Sequence, residues 1–212
     1  MKNLLFAVSL LAASALSAET TPVMVSLVTP VQAPSSVYDV KGLRLSLIYG
    51  DCKDFTGLDL GLANRATGDF TGLAIGGVNI ADGRFRGGQV GLVNWNSQSD
   101  REWPDRSIGA QLGLLNYADS FCGLQSGLVN ISGNSVVGAQ SGLVNCANDV
   151  QGVQLGYDFV FGVNVVSGTL SGLQLGLVNY AESVDGGLQI GLINIIARNG
   201  WLPVLPIVNG HF

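Results

Sequence analysis

Side chains able to do chemistry are few in this chain, and their spacing does not favour catalysis. The single histidine, His211, stands next to the C-terminus. Imidazole relays and imidazole metal sites draw on several residues, so His211 reads as a terminal residue and not as a ligand. Cys52, Cys122 and Cys146 show no CxxC or Cys/His spacing of the kind that holds zinc. Their odd number fits small, semi-buried residues better than a disulfide framework, although one bridge of undetermined pairing stays open. No nucleophile elbow, P-loop, HExxH or calcium-loop motif occurs. We therefore expect a protein that is not an enzyme and carries no cofactor or metal.

The densest run of charge is Asp100-Arg101-Glu102-Trp103-Pro104-Asp105-Arg106. On a protruding loop, Arg101, Trp103 and Arg106 would suit an extracellular protein or glycan partner. The competing reading is a solvated loop whose charges pair locally. Arg44, Asp59 and Asp158 fall at strand positions, either lining a lumen or facing water. The most regular polar residues are amides: Gln89, Gln111, Gln125, Gln140, Gln154, Gln174 and Gln189, with Asn64, Asn79, Asn94, Asn116, Asn130, Asn145, Asn179 and Asn194. Aligned in rows, such amides donate to and accept from one another, which reads as scaffold and not as an active site.

The composition bounds the class of protein. The chain has 212 residues, 47% hydrophobic and only 12% charged, with 30 glycines and a formal charge of -5. That hydrophobicity excludes a disordered chain, and the acidic balance without a basic patch excludes a nucleic-acid binder.

The amides belong to a repeat. An octet close to Gly-Leu-Gln-x-Gly-Leu-Val-Asn opens at Gly42, Gly57, Gly72, Gly87, Gly109, Gly123, Gly138, Gly152, Gly172 and Gly187, mostly 14 or 15 residues apart, with steps of 22 after Gly87 and 20 after Gly152. Within it, Leu173, Leu175 and Leu177 alternate with Gly172, Gln174 and Gly176. Period two marks a strand with one greasy face and one small or polar face. A helix would swing Leu175 away from its neighbours and would suffer from two interior glycines.

One-strand repeats close in two ways. An antiparallel meander of about 10–12 strands forms an outer-membrane-type barrel, with Leu58, Leu60 and Leu62 turned to lipid and Gly and Gln lining the inside. Extra strands at Val23–Val31 and Trp201–Phe212 would make twelve, and the terminal Phe212 suits barrel assembly. The long connectors, Trp95–Ile108 and Val160–Ser171, would then share the outer end. The alternative is a parallel β-solenoid, burying the Leu face and presenting a flat Gln/Gly face for binding. Against the barrel stand few aromatics, Pro203 and Pro206 in the closing strand, and a narrow apolar band. We expect the barrel.

Residues 1–18, MKNLLFAVSLLAASALSA, have the charge, apolar run and small-residue end of a signal peptide, implying export to the outer membrane or cell surface. Residues 19–41 form an N-terminal segment with a candidate first strand, 42–201 the ten-copy repeat domain, and 202–212 a C-terminal strand or tail. The run from Val40 (VKGLRLSLIYG, then GLDLGLANRATGDFTGLAIGGVN), GLQLGLVN at Gly172 and the ending GWLPVLPIVNGHF resemble bacterial surface-repeat proteins of the GLQxGLVN type. The resemblance spans about Val23 to Phe212 and implies an exported, outer-surface protein with no established activity and no catalytic residues. The Gly152 copy departs from the pattern, with Tyr157 and Phe159 in place of Leu and Asn.

Overall fold

The computed structural model describes residues 20–97, 106–157 and 161–212. The signal-peptide segment 1–18, together with Arg101, Trp103, Asp158 and Phe159, lies outside the described residues. All regular structure described is β. The strands are β1 (Thr20–Val28), β2 (Val31–Ala33), β3 (Asp39–Cys52), β4 (Phe55–Ala66), β5 (Phe70–Ala81), β6 (Phe85–Val90), β7 (Val93–Asn96), β8 (Ser107–Leu112), β9 (Leu115–Ser126), β10 (Val129–Gly142), β11 (Val144–Gly156), β12 (Val163–Leu175), β13 (Val178–Val184), β14 (Gly187–Ile196) and β15 (Val204–His211).

Octet lies on octet in register. Gly42 pairs with Gly57 and Gly57 with Gly72, and Gln125 lies between Gln111 and Gln140. Every strand pairing from β3 to β14 is parallel. Among the described residues, antiparallel ladders occur only at the ends, between β1 and β2 and between β14 and β15, apart from the isolated bridge Tyr157–Phe161. The sheet runs from β2 to β15 without joining them. The expected antiparallel barrel is thus overturned, and the alternative, a parallel β-solenoid with one coil per repeat, is the fold. Near-identical repeats favour it because parallel register sets amide on amide and glycine on glycine. A meander would place unlike residues opposite one another.

Each coil has two limbs. The first runs from two residues before the octet through its fifth residue, and the second from the seventh residue to the tenth. At the sixth and seventh residues alternation fails, since Leu143 and Val144 both lie outside, and there the chain turns a corner. The octet's first glycine in nine copies has φ between 133 and 148°. A Cβ at Gly123 would overlap the carbonyl oxygen of Gly109 on the coil below. Coils therefore stack through backbone at a spacing that only glycine permits.

The interior holds the residues expected on the open face. Gln125, Gln140, Asn130 and Asn145 are fully buried, whereas Leu62 and Leu92 are 60% and 59% exposed. The expected burial of leucine beneath a Gln/Gly binding face is inverted. The two limbs close on a narrow space filled by amides, glycines and small or flat apolar columns: Ala66, Ala81, Ala118 and Ala147 on one limb, and Phe55, Phe70, Phe85, Phe121, Val136 and Val150 on the other. Phe55, Phe70 and Phe85 stack at 5.1 and 5.6 Å between centroids.

The expected connector Val160–Ser171 is also revised. Val163–Asn164 pairs with Val144–Asn145, and Gly172 pairs with Gly152. The additional residues in that coil are an insertion inside the octet, between Gly156 and Gly162. Asn164, and not position 159, completes the repeat.

Candidate binding face

The amide rows are ladders. Asn64, Asn79, Asn94, Asn116, Asn130, Asn145, Asn164 and Asn179 each donate from Nδ2 to the Oδ1 of the next, ending at Asn194, at 2.8–3.1 Å. The same nitrogens bond backbone carbonyls: Asn79 Nδ2 lies 3.1 Å from Val90 O, and Asn130 Nδ2 lies 2.9 Å from Ser141 O. A carbonyl accepts only from a donor, so the backbone sets which way every amide points. The glutamine ladder runs the other way, each donating toward the N-terminal coil: Gln111 to Gln89, then Gln125, Gln140, Gln154, Gln174 and Gln189 in succession, at 2.7–3.0 Å. The two rows of dipoles oppose and offset one another.

Gln89, Asn94, Gln111, Asn116, Gln125, Asn130, Gln140, Asn145, Gln174, Asn179, Gln189 and Asn194 are therefore structural repeat positions, sealed from any ligand by the coil around them. Asn164 was missed by sequence reasoning, though the surviving Gly162-Val163-Asn164 is its signal.

At the N-terminal end, Arg44 and Asp59 take the glutamine positions on adjacent coils. The Arg44 guanidinium grips the Asp59 carboxylate with both arms, Nε to Oδ1 at 2.8 Å and Nη2 to Oδ2 at 2.5 Å. Its Nη1 donates to the Arg65 carbonyl at 2.7 Å, and it lies over the Phe55 ring at 5.2 Å. Burial pushes the Asp59 carboxyl above its ordinary value, with the Arg44 fork opposing that shift. Both side chains are buried in the packed interior, so neither sequence reading, a lumen lining or a water-facing side chain, describes them. Cys52, 3.0 Å from Arg44 Nη1, is pushed up to about 12 by burial and stays a thiol. All three cysteines are free, so the open disulfide does not form.

Of the expected partner loop only Arg106 is described. It immediately precedes β8, and burial lowers its pKa. His211 pairs as backbone with Gly187 in the C-terminal cap. Among the described residues no cluster of His, Cys, Asp and Glu could hold a metal.

The surface holds a feature that alternation alone could not place. None of the second, fourth and sixth residues of the ten octets is charged, and they face outward as three stripes along the solenoid. Leu58, Leu73 and Leu124 represent the second position, and Leu45, Ile75 and Leu112 the fourth. The sixth, at the corner, carries Leu62, Leu92, Leu114, Leu128 and Leu192. Around the corner follow Val78, Val93, Leu115 and Val129, then Ile80, Trp95, Tyr117, Ile131, Val165 and Tyr180. Trp95 and Tyr117 stack at 4.0 Å. Opposite the corner, the turns between coils gather the charge, with pairs Arg65–Asp82, Arg84–Asp69 and Arg198–Glu182 at 2.6–2.7 Å. Contiguous apolar surface beyond about 300–600 Å² marks an interaction site on most soluble proteins. A scan of protein-family models, a search of curated proteins and a search of solved structures each give no match to this chain.

Proposed function

We propose that this protein is an exported, non-enzymatic scaffold, a surface-attached β-solenoid that binds an apolar partner through its outward leucine stripes. The observation that carries this reading is the uncharged second, fourth and sixth octet positions, which face outward, exposed or half-buried, in ten stacked coils. Leucine contributes nothing to solubility, and the fold does not need it there, because the interior is filled by amides, alanines and aromatic or branched columns. The signal-peptide-like segment and the GLQxGLVN resemblance supply the outer-surface location. Envelope fractionation of the triple variant Leu62→Glu/Leu92→Glu/Leu114→Glu tests the reading. The variant should melt within a few degrees of wild type and move from the envelope to the soluble fraction. A wild-type chain found only in the soluble fraction, or a variant that stays in the envelope, would sink it.

A further inference from the structure

The scaffold reading leaves open what covers the leucines, and the shape of the apolar surface answers that. Resting on that reading, we propose that the partner is a lipid bilayer: the solenoid lies with its axis along the membrane plane and pushes its leucine corner into one leaflet.

Three observations lead there. First, the apolar surface is a wedge and not a patch. It occupies both flanks of the corner, from the second-position stripe on one limb to the Ile80–Ile195 row on the other, and that row is uncharged from Ile80 onward, with Arg65 and Asp51 continuing it only at the N-terminal end. The most exposed leucines sit at the edge of the wedge, Leu47 at 71% and Leu192 at 63%. A flat protein partner or a second copy covers one flank and leaves the other wet. One flank, about 13 Å wide and about 48 Å long at a coil spacing of about 4.8 Å, projects about 600 Å². That is short of the roughly 800 Å² each partner buries in a stable pair. Hydrocarbon is fluid and covers both flanks together.

Second, the depth fits. From the corner back to the second octet position is about 13 Å, within one leaflet of about 15 Å, half of a hydrocarbon core about 30 Å thick. No backbone donor is stranded in lipid, because ladders between coils already pair the limbs on both sides.

Third, charge is segregated as an interface demands. Lys53, Asp54, Asp82 and Arg198 lie on the turns opposite the corner, and Asp119 and Glu182 lie in β9 and β13 two residues beyond Tyr117 and Tyr180, where headgroups and water would meet them. Trp95, Tyr117 and Tyr180 lie between apolar flank and charged turns, the level that amphipathic rings favour. The formal charge of -5 argues against attraction to anionic lipid, so binding should run on apolar area alone.

Flotation of the purified full chain with phosphatidylcholine vesicles, at 0.1 M and 1 M salt, tests this. Wild type should float equally at both salts. The face variant L62E/L92E/L114E should lose at least about tenfold in partitioning per substitution. The turn variant K53E/R198E should float as wild type, although it gains more negative charge. With Trp103 and Trp201 changed to Phe, Trp95 emission should be quenched by lipids brominated on the acyl chain. Failure of wild type to float, loss of flotation at high salt, equal loss in the turn variant, or a face variant that floats undiminished overturns the proposal. If the purified chain does not float but the face variant still leaves the envelope in cells, lipid is excluded while the scaffold reading stands. Doubled mass in sedimentation, abolished by the face variant, would then assign the stripes to a second copy.

Discussion

At the scale of single residues, this fold depends on atoms that are absent and on amides that are never alone. Gly123 has φ +135°, and a Cβ there would meet the Gly109 carbonyl oxygen and carbon of the coil below. Gly123→Ala should lower stability by at least about 3 kcal/mol, since strain and overlap with rigid backbone add. Gly133 has an ordinary φ, and its nearest obstacle is Tyr117 Oη at 3.3 Å, so Gly133→Ala should stay within about 1 kcal/mol. Urea unfolding of the two variants decides. The asparagine ladder makes a similar contrast. Asn130 accepts from Asn116, donates to Asn145 and bonds Ser141 O, each within 2.9 Å. Asn130→Ala orphans several buried groups and should cost about 2–4 kcal/mol. Asn64 begins the ladder and its Oδ1 has no partner. Asn64→Ala should therefore cost about half as much in the same titration, and equal losses would show that the ladder is not what the central residue supports.

At the scale of elements, the ends of the solenoid decide whether it stays a single particle. Parallel stacking leaves an open edge at each end, and an open edge recruits more strands. The C-terminal edge is closed by β15, which reverses direction and pairs with β14 from Gly187↔His211 to Ile195↔Val204. Pro206 falls in the irregularity between Gly191 and Asn194, where the ladder is already interrupted. The prolines that argue against a closing barrel strand are at home in such a cap, because an edge strand can dispense with an N–H. Deleting residues 203–212 should expose the β14 edge and produce concentration-dependent oligomers in sedimentation velocity, with far-UV β signal retained. A monodisperse truncated chain would show that the cap is dispensable.

At the scale of the whole molecule, a stack of near-equal coils behaves as a one-dimensional array, in which each coil touches only its neighbours. Excising residues 123–137 removes one period and brings Cys122 to Gly138, so Gln140 would meet Gln111 and Asn145 would meet Asn116 in unchanged register. The shortened chain should fold, with a urea m-value lower by about a tenth. An excision of half a period would set amide against leucine and should not fold. Circular dichroism and urea titration of the two deletions distinguish this modular stack from a closed barrel, where losing a single strand breaks closure.

How much of this was legible depended on how far apart the interacting residues lie. The repeat, the strand character of each octet and the amide rows all follow from the sequence, because alternation and spacing are local properties. The replacement of glutamine by Arg44 and Asp59 was legible as well, but not that they pair, since that needs two coils in parallel. Asn164 was obscured by an insertion that only the register of β11 with β12 bridges. Alternation also says that Leu173 and Gln174 face opposite ways without saying which way is in. Hydropathy would bury the leucine. The tertiary structure buries the glutamine, because partners 14 to 22 residues away satisfy the amides between the ends of the ladder and the space between the limbs admits only side chains that stack. Strand period was thus a property of the chain alone, while strand direction and the inward face were decided between coils, by hydrogen bonds that no single repeat can make.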